Sequence, residues 1–131
     1  NVYGERQPVK GQYAPVVGIF QRQVAAGEPM TIVGDGLQRR DFTHVSDVVS
    51  ANISASISTN DNIFGETFNV GSGENINMLE LADMVDKNAP RIHIAPREGE
   101  SEVTLANIDK IKQFLGWAPQ TRIQDWLTTE G

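Results

Sequence analysis

The sequence predicts an α/β fold in which short strands alternate with helices from one end of the chain to the other. Three observations carry that expectation. Apolar residues recur at helical spacing in five stretches, opening near Pro15, Ser46, Asn77, Asn107 and Thr121. Between them lie short runs rich in β-branched and aromatic residues, such as Met30-Thr-Ile-Val33 and Arg91-Ile-His-Ile94. Glycine and proline turns punctuate these runs at Gly34-Asp-Gly36, Gly71-Ser-Gly73 and Pro96-Arg-Glu-Gly-Glu100.

Taken in order, residues 1–12 read as loop, because Pro8 and Gly11 block regular structure. Pro15 suits the first turn of a helix whose apolar positions are Val16, Ile19, Phe20 and Val24, with Gly27 as its C-terminal cap. Residues 30–33 form a strand, and the glycines of Gly34-Asp-Gly36 permit the positive φ of its turn. Residues 41–45 are expected as a second strand. Ser46 then caps a helix reaching about residue 58, with Val48, Val49, Ile53 and Ile57 as the apolar stripe that should meet the core.

Residues 59–62 are loop, and Thr67-Phe-Asn-Val70 reads as a strand closed by Gly71-Ser-Gly73. Asn77 with Glu80 makes a capping-box pattern ahead of a helix carrying Met78, Leu81, Ala82 and Val85. Residues 91–94 are a strand and residues 103–105 a shorter one. Asn107 opens a helix with Ile108, Ile111 and Leu115 on one face, stopped by Gly116. Thr121 with Gln124 caps a final helix bearing Ile123, Trp126 and Leu127.

With 131 residues, the chain suffices for one domain with a moderate core, or for part of a larger one. Its apolar runs are far shorter than the roughly 20 residues that span a bilayer. The absence of cysteine removes disulfides and thiolate metal sites, and fits a reducing, cytoplasmic setting. Asn1 rather than Met opens the chain, and no basic-then-apolar signal follows. The net charge of -6 is unevenly placed: residues 1–60 carry five basic and five acidic side chains, the remainder six and twelve. Nucleic acid and anionic membrane require the opposite balance and are not expected as partners.

Most chemistry is excluded by spacing. His44 and His93 have no ligand-type partner at i, i+4, so no metal site is expected. Ser72 lacks the five-residue nucleophile elbow, and Gly71-Ser-Gly73 lacks the third glycine of a dinucleotide fingerprint. His44 reads as support for a strand-to-helix turn, Asp47 as a first-turn carboxylate, and Trp117 and Trp126 as packing residues. One constellation stands out. Arg39-Arg40 follow a Gly-Asp-Gly turn, and Arg97 and Glu100 share a Pro/Gly loop. A guanidinium grips phosphate through two donors, and a nearby carboxylate accepts from a ribose diol, so together they could hold a nucleoside diphosphate.

The order of the motifs sharpens this. Asn1-Val-Tyr-Gly-Glu-Arg-Gln7, Gly11-Gln-Tyr-Ala-Pro-Val-Val17 and Gly27-Glu-Pro-Met-Thr-Ile-Val-Gly-Asp-Gly36 come first. Arg40-Asp-Phe-Thr-His-Val-Ser-Asp-Val-Val49, Phe68-Asn-Val-Gly-Ser-Gly73 and Pro96-Arg-Glu-Gly-Glu100 follow, then Ala106-Asn-Ile-Asp-Lys110 and Leu115-Gly-Trp-Ala-Pro119. This series resembles the NAD-dependent nucleotide-sugar epimerase/dehydratase family, the extended short-chain dehydrogenases, and within it the UDP-glucose 4-epimerase branch. It departs at Glu5, where many members carry proline.

The resemblance implies that residues 1–131 form the carboxyl-terminal, substrate-binding portion of that fold. The glycine-rich NAD loop and the Tyr-x-x-x-Lys pair have no counterpart: Tyr3 is followed four residues on by Gln7, and Tyr13 by Val17. No catalytic or cofactor-binding residue is therefore expected in this chain, which alone should not turn over. NAD would be held by an amino-terminal half, and the full-length enzyme is expected as a homodimer acting on a UDP-sugar or related nucleotide sugar. Asn1 matches a position whose side chain meets the sugar diphosphate, and the backbone of Ala14, Pro15, Val16 and Val17 the segment lying along it. Thr31 and Val33 match positions whose main-chain groups pair with the uracil edge. Arg40 and Arg97 match the phosphate arginines, and Glu100 the acid that accepts from the ribose. Two alternatives share this binding half: a nucleotide-sugar dehydratase or decarboxylase, or a non-catalytic nucleotide-binding domain if the chain naturally begins at Asn1.

Overall fold

In chain order the elements are β1 (Val2–Tyr3), α1 (Val16–Ala25), β2 (Met30–Val33), β3 (Arg39–Arg40), β4 (Thr43–His44), α2 (Val45–Ile57), β5 (Ile76–Asn77), α3 (Met78–Asp86), β6 (Arg91–Ile94), α4 (Asp109–Leu115) and α5 (Ile123–Glu130). The computed structural model describes residues 1–130. The fold is α/β, and its strands pair two by two. β1 runs parallel to β4, β2 parallel to β6 with Met30 opposite Arg91 and Val33 opposite Ile94, and β3 antiparallel to β5. No helix among the described residues is long and apolar enough to cross a membrane.

The core follows from periodicity. On β2 the alternate residues Met30 and Ile32 are fully buried, while Thr31 and Val33 look outward. Against them pack Val17 and Phe20 of α1, Leu81 and Ala82 of α3, and Ile123, Trp126 and Leu127 of α5. Tyr3 and Phe42 complete this cluster, and a smaller one gathers Ala51, Ile108, Ile111 and Trp117. Local signals set several boundaries. Asn77 and Glu80 form a reciprocal capping box at the head of α3, and Gly27 and Gly116 take positive φ just past α1 and α4.

Two buried carboxylates tie the loops together. Asp41 accepts from the Ser72 N–H and hydroxyl at 2.8 and 2.6 Å, the Gly73 N–H at 3.1 Å and the Ala106 N–H at 3.2 Å. Asp47 accepts from the N–H groups of Gln120 and Thr121 at 2.9 and 3.1 Å. Asp47 is thus a tertiary tie rather than merely a first-turn carboxylate. It also explains why the expected face of α2 is wrong. Holding Asp47 and Ala51 inward turns Val49, Ile53 and Ile57 to solvent, where they are 51, 54 and 73% exposed.

Other expectations are corrected too. Val2–Tyr3 is a strand rather than loop, because Thr43 and His44 lie alongside it. The strand expected at 41–45 shrinks to Thr43–His44, and α2 starts at Val45 with His44, not Ser46, as its cap. Residues 67–70 are not a strand, since no strand among the described residues pairs with them. The run at 103–105 makes only a single bridge, between Arg39 and Val103. A 3-10 turn occupies Asp61–Ile63, expected as loop, and Ile108 rather than Asn107 caps α4.

Candidate functional site

The start of α1, the outer edge of β2 and the side chain of Arg40 converge on a cleft of about 250 Å³. Asn1, Ala14, Val16, Thr31, Val33, Arg40, Arg97 and Glu100 all line it. Val17 is the exception: its side chain is fully buried in the core, leaving only its main-chain N–H at the helix start. Pro15, within the segment expected to lie along the ligand, lines it too, while Ile19, Phe20, Gln38, Met78 and Ile94 also line the cleft and were not anticipated as site residues.

Each wall has a local cause. Pro15 caps α1 from extended backbone, and the first bond runs from the Ile19 N–H to the Pro15 carbonyl at 3.0 Å. The N–H groups of Val16, Val17 and Gly18 therefore lack intrahelical partners and carry the positive end of the helix dipole. On β2, Met30 donates to Pro90 at 2.9 Å and Gly34 to Ile94 at 2.8 Å, so even-numbered residues bond toward β6. The main-chain groups of Thr31 and Val33 consequently face the opposite edge, in the cleft.

Adjacent strand residues point to opposite faces, which separates the two arginines of β3. Arg40 points into the cleft, 13% exposed, with its Nη1 donating to the Arg39 carbonyl at 2.8 Å. Arg39 turns away: it donates to the side-chain and main-chain oxygens of Asn75, both at 2.8 Å, and pairs with Glu80 at 3.4 Å. It is a bridge between β3 and the head of α3, not a solvated surface charge. Glu100 lies between two guanidinium groups at loose separations, 3.9 Å from Arg40 and 3.7 Å from Arg97. Arg97 remains 68% exposed. Two cations, one anion and a helix start leave the cleft locally positive in an acidic chain, a setting that suits a phosphorylated ligand.

The neighbouring motifs do different work. The N–H groups of Ser72 and Gly73 are both taken by Asp41, and a Cβ on Gly71 would lie 2.4 Å from that of Ala106. This glycine turn serves close packing and does not fit a dinucleotide phosphate. His44 accepts the Ser46 N–H through Nδ1 at 3.2 Å, and its Nε2 faces Glu5 at 3.4 Å. Trp126 Nε1 donates to Glu5 at 2.9 Å, a bond that holds the Glu5 carboxyl below its ordinary range. Tyr3 sits edge-on to both His44 and Trp126. Burial first, then the charges of Asp47, Asp125 and Glu5, push its phenol up. A second cavity of about 290 Å³ opens on Arg40, lined by Phe42, Gln120 and Arg122 among others.

Residues 1–71 match the model of the NAD dependent epimerase/dehydratase family. A UDP-glucose 4-epimerase of Mycolicibacterium smegmatis is 34% identical over a gapped alignment of 130 positions that covers 95% of this chain and 40% of that protein. UDP-glucuronic acid decarboxylase 4 of Arabidopsis thaliana is 34% identical over a gapped alignment of 135 positions that covers 97% of this chain and 28% of that protein. Among solved structures, a UDP-glucose 4-epimerase of Thermotoga maritima with UDP-glucose superposes with a TM-score of 0.88 at 33% identity. That match covers 97% of this chain and 41% of the other. The chain thus spans well under half the length of the relatives it matches.

Proposed function

The chain belongs to the NAD dependent epimerase/dehydratase family, and from that premise we propose that residues 1–131 are the nucleotide-sugar-binding, carboxyl-terminal portion of a nucleotide-sugar epimerase. The ligand is a UDP-sugar, as for UDP-glucose 4-epimerases. The observation that carries this reading is the convergence of Asn1, the start of α1, the edge of β2, Arg40, Arg97 and Glu100 on one cleft. Arg40 and Arg97 clamp the diphosphate, the first-turn N–H groups of α1 lie along it, and Asn1 meets its sugar end. Glu100 accepts from the ribose hydroxyls. Thr31 and Val33 present main-chain groups to the base.

When bound in the whole enzyme, NAD would supply the acceptance and return of the sugar hydride. Because the glycine turn here spends its N–H groups on Asp41, the reading assigns NAD to a portion carrying the glycine-rich loop and the Tyr-x-x-x-Lys pair. The chain by itself is then a binder without turnover, and the whole enzyme a cytoplasmic homodimer. A second reaction on the same binding half, decarboxylation, has support in the equal 34% identity to the plant decarboxylase. Calorimetric titration with UDP and with NAD tests the reading. UDP is expected to bind and NAD is not. NAD binding more tightly than UDP would contradict it.

A further inference from the structure

Resting on that reading of the cleft, we infer that two glutamine side chains, Gln23 and Gln38, set which nucleobase the β2 edge accepts. Each outward strand residue offers one N–H and one C=O, so Thr31 and Val33 together bring two donors and two acceptors. Half of these are already taken. Gln23, buried on α1, accepts from the Thr31 N–H at 3.1 Å and donates to the Thr31 hydroxyl at 3.0 Å. Gln38 donates from Nε2 to the Val33 carbonyl at 2.9 Å. Among the described residues this leaves the Thr31 carbonyl and the Val33 N–H open, an acceptor followed by a donor on one edge.

A pyrimidine presents its ring positions 3 and 4 to such a pair. In uracil these are an N–H beside a carbonyl; in cytosine they are a ring-nitrogen acceptor beside an amino group. With the diphosphate end fixed by Arg40, Arg97 and the start of α1, the two patterns are not interchangeable. Uracil matches the open pair, whereas cytosine sets acceptor against acceptor and donor against donor. Selectivity of this kind is steep because a mismatched polar group loses its water without gaining a partner. The Gln38 amide keeps the Val33 carbonyl out of reach. Without it, that carbonyl becomes an acceptor beside the Val33 N–H and can receive the cytosine amino group. Gln23 masks the Thr31 N–H in the same way and locks the strand to the helix that faces the phosphates. Both are positioning residues.

Titrating the chain with UDP and with CDP, as wild type, Gln38→Ala and Gln38→Glu, tests this. Glutamate keeps the size of the side chain but has no N–H to donate to Val33. Wild type is expected to prefer UDP by at least about tenfold, and both variants to lose about five- to tenfold of that preference. In Gln38→Ala the change comes from tighter CDP binding, which a merely structural role would not produce. The glutamate charge weakens both ligands, so there the ratio is the readout. An unchanged UDP/CDP ratio in both variants, with UDP still bound, overturns the role of Gln38 and leaves the nucleotide site standing. A wild-type chain that binds neither ligand overturns both.

Discussion

Asp41 and Glu100 are both carboxylates near the arginines of β3, and the molecule treats them in opposite ways. Asp41 is 8% exposed and accepts from Ser72, Gly73 and Ala106 at 2.6 to 3.2 Å. Glu100 is more than a third exposed, with ion contacts at 3.7 and 3.9 Å. The arginines divide the same way: Arg39 is bonded at 2.8 Å to Asn75, while Arg97 reaches into solvent. Polar groups that hold the fold have their partners at hydrogen-bond distance within the chain. Charges left half-satisfied around a concave surface are free to exchange their loose partner for a ligand. The contrast assigns roles to residues that composition alone makes equivalent.

Breaking the satisfied side should cost the most stability. Asp41→Ala removes the buried acceptor shared by the N–H groups of three loop residues, Ser72, Gly73 and Ala106. It is expected to lower unfolding stability by about 3–5 kcal/mol, read from the urea midpoint. Asp41→Asn, which keeps an acceptor, should lose less. A variant as stable as wild type would mean that the Asp41 network does not hold these loops.

The smallest effect is expected at Tyr3, whose hydroxyl is buried and has no hydrogen-bond partner among the described residues. Tyr3→Phe is therefore expected to be neutral, or stabilising by up to about 1 kcal/mol, at pH 7. The sign with pH follows from the raised phenol. A group whose pKa is higher folded than unfolded contributes its stability fully below its unfolded value, about 10. That contribution is lost as pH rises toward the folded value. Wild type should therefore lose stability above about pH 10 faster than Tyr3→Phe in melts at stepped pH. Identical alkaline profiles would show that Tyr3 ionises as an exposed phenol does.

Much of this architecture was legible in the residues, and the exceptions have a common cause. The β2 and β6 strands, the Asn77–Glu80 box and the glycines after α1 and α4 are set by local chemistry, which a sequence displays directly. Of the nine anticipated site residues, eight line the cleft; the ordered motifs placed them, since no spacing rule would join Asn1 to Arg97. What escaped depends on distant neighbours. Residues 67–70 have a strand's composition and no paired strand. The inward face of α2 is fixed by Asp47 reaching residues 120 and 121, which apolar spacing cannot reveal. Gln23 gave a faint signal, a polar residue among buried helix positions, whereas Gln38 gave none.

In the proposed function Arg97 and Arg39 serve different ends, ligand and fold. The most direct test is UDP titration of Arg97→Ala and Arg39→Ala, with the melting of each variant. Arg97→Ala should weaken UDP binding by about 1.5–3 kcal/mol, roughly ten- to a hundredfold, at unchanged melting temperature. Arg39→Ala should leave UDP affinity within about threefold and lower stability by about 1–2 kcal/mol. Reversed effects, with Arg39→Ala abolishing UDP binding and Arg97→Ala silent, would contradict the account.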